Sequence, residues 1–123
     1  MSERLIRDFC DAWSRRDIHE LLGYFTEDAI YHNIPVDPAK GHDAIRAVMM
    51  LFVPMSKEIT FEIKHLAEEG NVVLTERVDR FVMEGGTIEL PVMGVFEVQG
   101  GKIKAWRDYF DMQQYMSQIP GVS

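Results

Sequence analysis

A single cysteine, Cys10, excludes an intrachain disulfide from this 123-residue chain. It shares a predicted helix face with Ile6, Phe9 and Trp13, apolar surroundings in which a thiol stays inert. Basic residues are also scarce: 13 Lys and Arg stand against 20 Asp and Glu, a net charge of −7. The cations are scattered along the chain, which excludes the clustered positive surface that phosphate contacts need, so nucleic acid is not an expected partner. No apolar run is long enough to span a bilayer. The opening MSERLIRDFCDAW lacks the uninterrupted hydrophobic stretch and small-residue cleavage site of a secretory leader, so no membrane partner and a cytoplasmic location are expected. His19, His42 and His65 show no paired ligand spacing, and His32 alternates away from its neighbours Tyr31 and Asn33; no metal and no cofactor are expected. Internal repeats and low-complexity tracts are lacking too.

What is present describes an ordinary globular chain, 46% hydrophobic and 27% charged, of a length that fits one domain over residues 1–123. Leu5, Ile6, Phe9, Cys10 and Trp13 recur with a 3.6-residue period, predicting a helix over about 3–16. Asp17 with Glu20 three residues later has the pattern of a capping box and opens a second helix over about 18–25. After a break at Thr26-Glu27-Asp28, AIYHNIP reads as a short strand stopped by Pro35. A loop through Pro38 and Gly41 then leads to a third helix over about 42–52. From residue 57 onward EITFEIKHLAE, NVVLTERVDRFVM, TIELPVMGVFEVQ and KIKAWRDYFDM are extended segments separated by Gly-containing turns, a four-segment antiparallel meander. The tail MQQYMSQIPGVS has too little periodicity to be more than a short cap. Helices followed by a long sheet predict an α+β fold, with about three N-terminal helices packed on one face of a curved sheet to make a cone with an apolar interior.

Three strands each carry a polar pair on one face, because residues two apart point the same way: Arg77 with Asp79, Trp106 with Asp108, Tyr31 with Asn33. If these faces converge inside the cone, two carboxylates, a guanidinium, a phenol and an amide meet among Phe81, Leu90, Val92, Phe96 and Trp106. An unpaired buried charge costs more than a small domain can absorb, so Arg77 is expected between Asp79 and Asp108, donating to both. Two carboxylates around one cation leave a residual negative charge, which favours one retained proton and gives an acid beside a base. Opening an epoxide with water needs both at once. Spacing alone does not say which carboxylate is which, nor does it choose Asp108 over Asp111. Met50, Leu51, Val53, Met55, Met83 and Met93 read either as an adaptable pocket lining or as core filling.

The segments YHNIP at 31–35, LTERVD at 74–79, ELPVMGVFEV at 89–98 and AWRDYFD at 105–111 together resemble the limonene-1,2-epoxide hydrolase family, whose fold is the nuclear-transport-factor-2-like (SnoaL-like) cone. The resemblance implies that Asp108 is the base activating water, Asp79 the acid protonating the epoxide oxygen, and Arg77 the bridge between them. It further implies that Tyr31 and Asn33 hold the water, that the substrate is a small apolar epoxide, and that the protein is a homodimer. Competing readings are a polyketide or epoxide cyclase, a ketosteroid-isomerase-like enzyme, and a non-catalytic small-molecule-binding module. For each charged pair taken alone, a solvated surface ion pair is the plainer expectation.

Overall fold

A computed structural model describes residues 2–120 of the chain; Met1 and residues 121–123, the end of the expected tail cap, lie outside the described residues. The first amphipathic stripe forms α1, Ser2–Ala12, which tightens into a 3₁₀ turn over Trp13–Arg15 and stops at Arg16, whose φ of 54° no helix can continue. Asp17 caps α2, Ile18–Leu22, by accepting from the Glu20 backbone N–H at 3.1 Å. The reciprocal half of the box is missing, because the Glu20 carboxylate is taken by the Arg15 guanidinium at 2.7 Å. This helix is shorter than its apolar pattern implies: it ends at Gly23, and Phe25 already belongs to a strand.

That strand, β1, runs Phe25–Asn33 through the expected break. Thr26-Glu27-Asp28 is an irregularity within it, where its register against β6 shifts between Phe25 and Ile30. The loop expected at 38–41 contains a two-residue strand, β2, Ala39–Lys40, paired with β1. It is followed by α3, His42–Met50. The remaining strands are β3 (Ser56–Glu69), β4 (Val72–Met83), β5 (Gly86–Gln99) and β6 (Lys102–Tyr109), and a short α4 covers Met112–Met116.

The six strands make one mixed sheet in the order β2-β1-β6-β5-β4-β3. The predicted meander is present, and the one parallel contact, β1 on β6, brings the first half of the chain alongside the last strand. Register shifts in β3, and between β1 or β5 and β6, are the local irregularities by which a sheet bends. Burial alternates strictly along β4 and β5, with odd residues of β4 and even residues of β5 turned inward.

The helical end of the chain plugs this inner face. Phe9 meets the rings of Trp13, Phe25, Phe96 and Trp106 edge-on at 5.1–6.1 Å. Trp13 stacks on Phe61 at 4.7 Å and on Phe52 at 5.8 Å. No helix of the described residues is long and apolar enough to cross a membrane.

Trp13 is fully buried, yet its indole N–H has no hydrogen-bond partner among the described residues. Its contribution is therefore packing alone. Trp13→Ala should cost about 3–5 kcal/mol, whereas Trp13→Phe, which removes an unsatisfied donor and keeps most of the ring, should cost distinctly less; urea denaturation of the two variants measures the difference.

Candidate active site

Sheet register decides which side chains meet. Across four strands Thr75, Gly94, Asp108 and Asn33 are successive partners, from β4 through β5 and β6 to β1. One row deeper lie Val73, Phe96, Trp106 and Tyr31. Arg77 and Asp79 follow Thr75 along the inner face of β4. Thr75, Arg77, Asp79 and Asp108 are all buried, with exposures from 0% to 4%.

Arg77 occupies the centre. Its Nε donates to Asp79 Oδ1 at 2.9 Å and its Nη2 to Asp79 Oδ2 and Asp108 Oδ2, both at 2.8 Å. Its Nη1 donates to Thr75 Oγ1 at 3.1 Å and to Asp108 Oδ1 at 3.2 Å. These are five bonds from a group with five N–H donors, so the fork is saturated. The plane also lies near three aromatic faces, with Cζ 5.1 Å from the Phe61 centroid, 5.8 Å from Trp106 and 5.9 Å from Phe96. The guanidinium is held well above even its ordinary range: burial alone would lower it, and the two carboxylates overcome that effect.

The carboxylates are not equivalent. Asp108 accepts a third donor, the Trp106 indole N–H at 2.6 Å. Among the described residues Asp79 accepts from Arg77 alone, and burial, with Asp108 as a further negative charge, raises its carboxyl to about 6 against the opposing pull of Arg77. The Tyr31 phenol stacks on Trp106 at 4.2 Å. Burial, with a smaller push from Asp108, raises the phenol above its ordinary range, offset in part by a hydrogen bond from Asn33.

Both carboxylates form part of the wall of a cavity of about 220 Å³. Tyr31 and Asn33 face it beside Asp108, and Phe81, Leu90 and Val92 are among its lining. Val36, Val48, Leu51, Phe52, Phe61, Met83, Ile88, Phe110, Met112 and Tyr115 complete the wall. Arg77 does not face this cavity; it supports the two carboxylates from behind.

Trp106 and Phe96, expected as lining, are placed elsewhere. Both are fully buried in the row behind the carboxylates and stack on each other at 5.4 Å. Of the six apolar residues read as lining or filling, Leu51 and Met83 reach the cavity and Val53 is core. Met50, Met55 and Met93 are about half exposed or more. Asp111 is not a rival to Asp108, since it caps α4 by accepting from the Gln114 N–H at 3.1 Å. His32 is turned away and pairs with the Val36 carbonyl. Cys10 is buried, and burial pushes its thiol up to about 12, consistent with a packing role. Among the described residues no group of three or more His, Cys, Asp or Glu is arranged to hold a metal ion.

Sequence reasoning missed Thr75 and Gly94. Thr75 was open to it, being two residues before Arg77 on the same strand face. Gly94 required the β4–β5 register as well. A Cβ at Gly94 would sit 2.7 Å from Asp108 Oδ1 and 3.0 Å from Thr75 Oγ1, and closer still to Arg77 Nη1. Only a residue without a side chain leaves room for the guanidinium to pass across β5 between β4 and β6.

The sequence model of the limonene-1,2-epoxide hydrolase catalytic domain matches residues 1–121. Epoxide hydrolase EphG of Mycobacterium tuberculosis is 32% identical over 109 residues, covering 87% of this chain and 71% of that protein. A solved M. tuberculosis epoxide hydrolase described as similar to that family superposes with a TM-score of 0.76 at 28% identity, covering 93% of this chain and 85% of that one. The epoxide hydrolase/cyclase-like enzyme SalBIII, of pyran ring formation in the polyether salinomycin, shares the fold with a TM-score of 0.82 at 20% identity, covering 91% and 92% of the two chains.

In most strands Gly→Ala is mildly stabilising, because glycine loses more conformational freedom on folding. Here the sign should reverse. Gly94→Ala is expected to lower stability by about 1–3 kcal/mol through overpacking, measured by urea denaturation.

Proposed function

The chain belongs to the limonene-1,2-epoxide hydrolase family, and from that membership we propose that it converts a small apolar epoxide to a vicinal diol by direct attack of water. The observation that carries the proposal is the guanidinium that bridges two carboxylates in the wall of an apolar cavity, with every N–H engaged.

In the proposed step Asp108 removes a proton from water as the water oxygen bonds to an epoxide carbon. The opposite C–O bond breaks, and the oxygen it releases takes the proton held by Asp79. The products are the diol, Asp108 protonated and Asp79 ionised; transfer of one proton back to Asp79 restores the starting state. The cluster of Arg77, Asp79 and Asp108 carries a net charge of zero throughout.

The division of roles follows from the donors. Asp79 holds the proton because burial favours its neutral form and, among the described residues, only Arg77 donates to it. Asp108, with three donors, is left as the base. Arg77 and Trp106 act as positioning residues, fixing the two carboxyl planes so that little reorganisation accompanies reaction. Asn33 is the cross-strand partner of Asp108, so the Tyr31-Asn33 pair stands where a water could be held against the base. That placement favours water as nucleophile over the substrate hydroxyl that an epoxide cyclase would use. An isomerase acting through an enolate has no evident need for the cation between the acids.

The proposal includes a homodimer. It is supported by the outer face of the sheet, where the cross-strand pair Met93 and Tyr109 and the nearby Leu74 are 42–49% exposed.

The experiment is diol formation from limonene-1,2-epoxide and cyclohexene oxide in oxygen-18 water, with enzyme in excess over substrate. Labelled diol should appear in the first turnover. Asp79→Asn and Asp108→Asn should each lose turnover by about two orders of magnitude or more. Because Asp79 must carry its proton, kcat/KM should fall as pH rises through about 6. Unlabelled diol, or full activity in Asp79→Asn, would contradict the mechanism.

A further inference from the structure

One wall of the cavity is supplied by a segment that the sheet does not build. Residues 111–120 leave β6 and cross the cavity, with Met112 and Tyr115, three apart on α4, among its lining. No residue of α4 is fully buried; Tyr115 and Ile119 pack against the core while only partly buried.

Its polar anchor lies at the sheet edge. β6 pairs with β5 only from Met93 to Gln99, so residues 86–92 of β5 have a strand neighbour, β4, on one side alone. There the Gln118 side-chain amide takes the place of a strand residue. Its Oε1 accepts from the Glu89 N–H at 2.9 Å, and its Nε2 donates to the Glu89 carbonyl at 2.9 Å. The same Nε2 donates to the Gln114 carbonyl at 2.9 Å, tying the latch to the end of α4. A second anchor lies beside it, where Pro120 packs so close to Gly85 and Gly86 that a Cβ there would stand 3.4 Å and 3.3 Å from it. At the other end Asp111 caps the helix, and the Tyr115 ring meets Phe110 at 6.2 Å.

We infer that residues 111–120 form a latched cover that sets the upper size of the ligand, and that Gln118 is the positioning residue that holds Tyr115 and Met112 over the cavity. The inference deepens the epoxide hydrolase proposal by bounding its substrate. The cavity volume of about 220 Å³ lies below the roughly 300–1,000 Å³ of sites for drug-sized ligands. It fits a compact ring epoxide and excludes one bearing two aromatic rings unless the cover moves.

Two variants test the latch. Gln118→Ala removes it, and Gln118→Glu keeps its shape but loses both Nε2 donations and sets a carboxylate against the Glu89 carbonyl. Binding of cyclohexanol and of 1,2-diphenylethanol, neutral alcohols that undergo no turnover, is measured by calorimetry. Hydrolysis of cyclohexene oxide and trans-stilbene oxide is followed in parallel.

The parent protein should bind only the smaller alcohol, and both variants should bind the two. The ratio of kcat/KM for the large epoxide to that for the small one should rise about tenfold or more in each variant. A general loss of stability would not move that ratio in this direction. Equal binding of both alcohols by the parent, or unchanged selectivity in both variants, would overturn the cover. Size-selective binding that opens in the variants, with no diol from either epoxide, would support the cover and remove the hydrolase proposal.

Discussion

A buried guanidinium must find an acceptor for each of its five N–H groups, and much of this fold can be read as the means of supplying them. Thr75 and Asp79 come from the strand that carries Arg77, while Asp108 comes from β6, two strands away. The strand between them can be crossed only where it bears no side chain, at Gly94. The long β4–β5 pairing, which matches residues from Val72 with Glu97 to Met83 with Gly86, therefore does more than close a hairpin. It places Gly94 opposite Thr75, as the β5–β6 pairing places it opposite Asp108, and a one-residue slip would put a side chain in the path of the guanidinium.

The same arrangement holds stability and chemistry in tension. Two carboxylates share one cation, so the fully ionised cluster carries an uncompensated charge in a dry site. For Asp79 the sign is clear. Its folded-state value of about 6 lies above the ordinary carboxyl range, so the folded protein binds this proton more tightly than the unfolded chain does. The stability this confers is present at low pH and is lost as pH rises through about 6. In the proposed mechanism the strain also sets the reactivity: the proton that burial keeps on Asp79 is the one delivered to the epoxide oxygen.

Much of this was legible in the sequence, for identifiable reasons. Period-two spacing placed Arg77 with Asp79 and Tyr31 with Asn33 on shared faces, and the cost of burying an unpaired charge predicted Arg77 between two acids if those faces converge. The antiparallel meander followed from the Gly-containing turns. Less legible were features that depend on tertiary context. Phe25 continues the apolar stripe of α2 but begins β1, because Gly23 ends the helix and core packing claims the ring. Trp106 reads equally well as a pocket wall or a core anchor; register sends it behind the acids, where its N–H distinguishes Asp108 from Asp79. Residues 112–120 show no amphipathic period, and their place depends on Pro120 against Gly85 and Gly86, on partial packing of Tyr115 and Ile119, and on a side-chain amide at a sheet edge that the sequence does not reveal as open.

The central claim is that a single proton resides on Asp79 within an Arg77-bridged pair until the pH rises through about 6. Carbon-13 NMR of protein labelled at the aspartate carboxyl carbons, titrated from acid to neutral pH, measures it directly. The account predicts one carboxyl titrating at about 6 that disappears in Asp79→Asn. An Asp79 signal titrating in the ordinary range, near about 3.9, would contradict it.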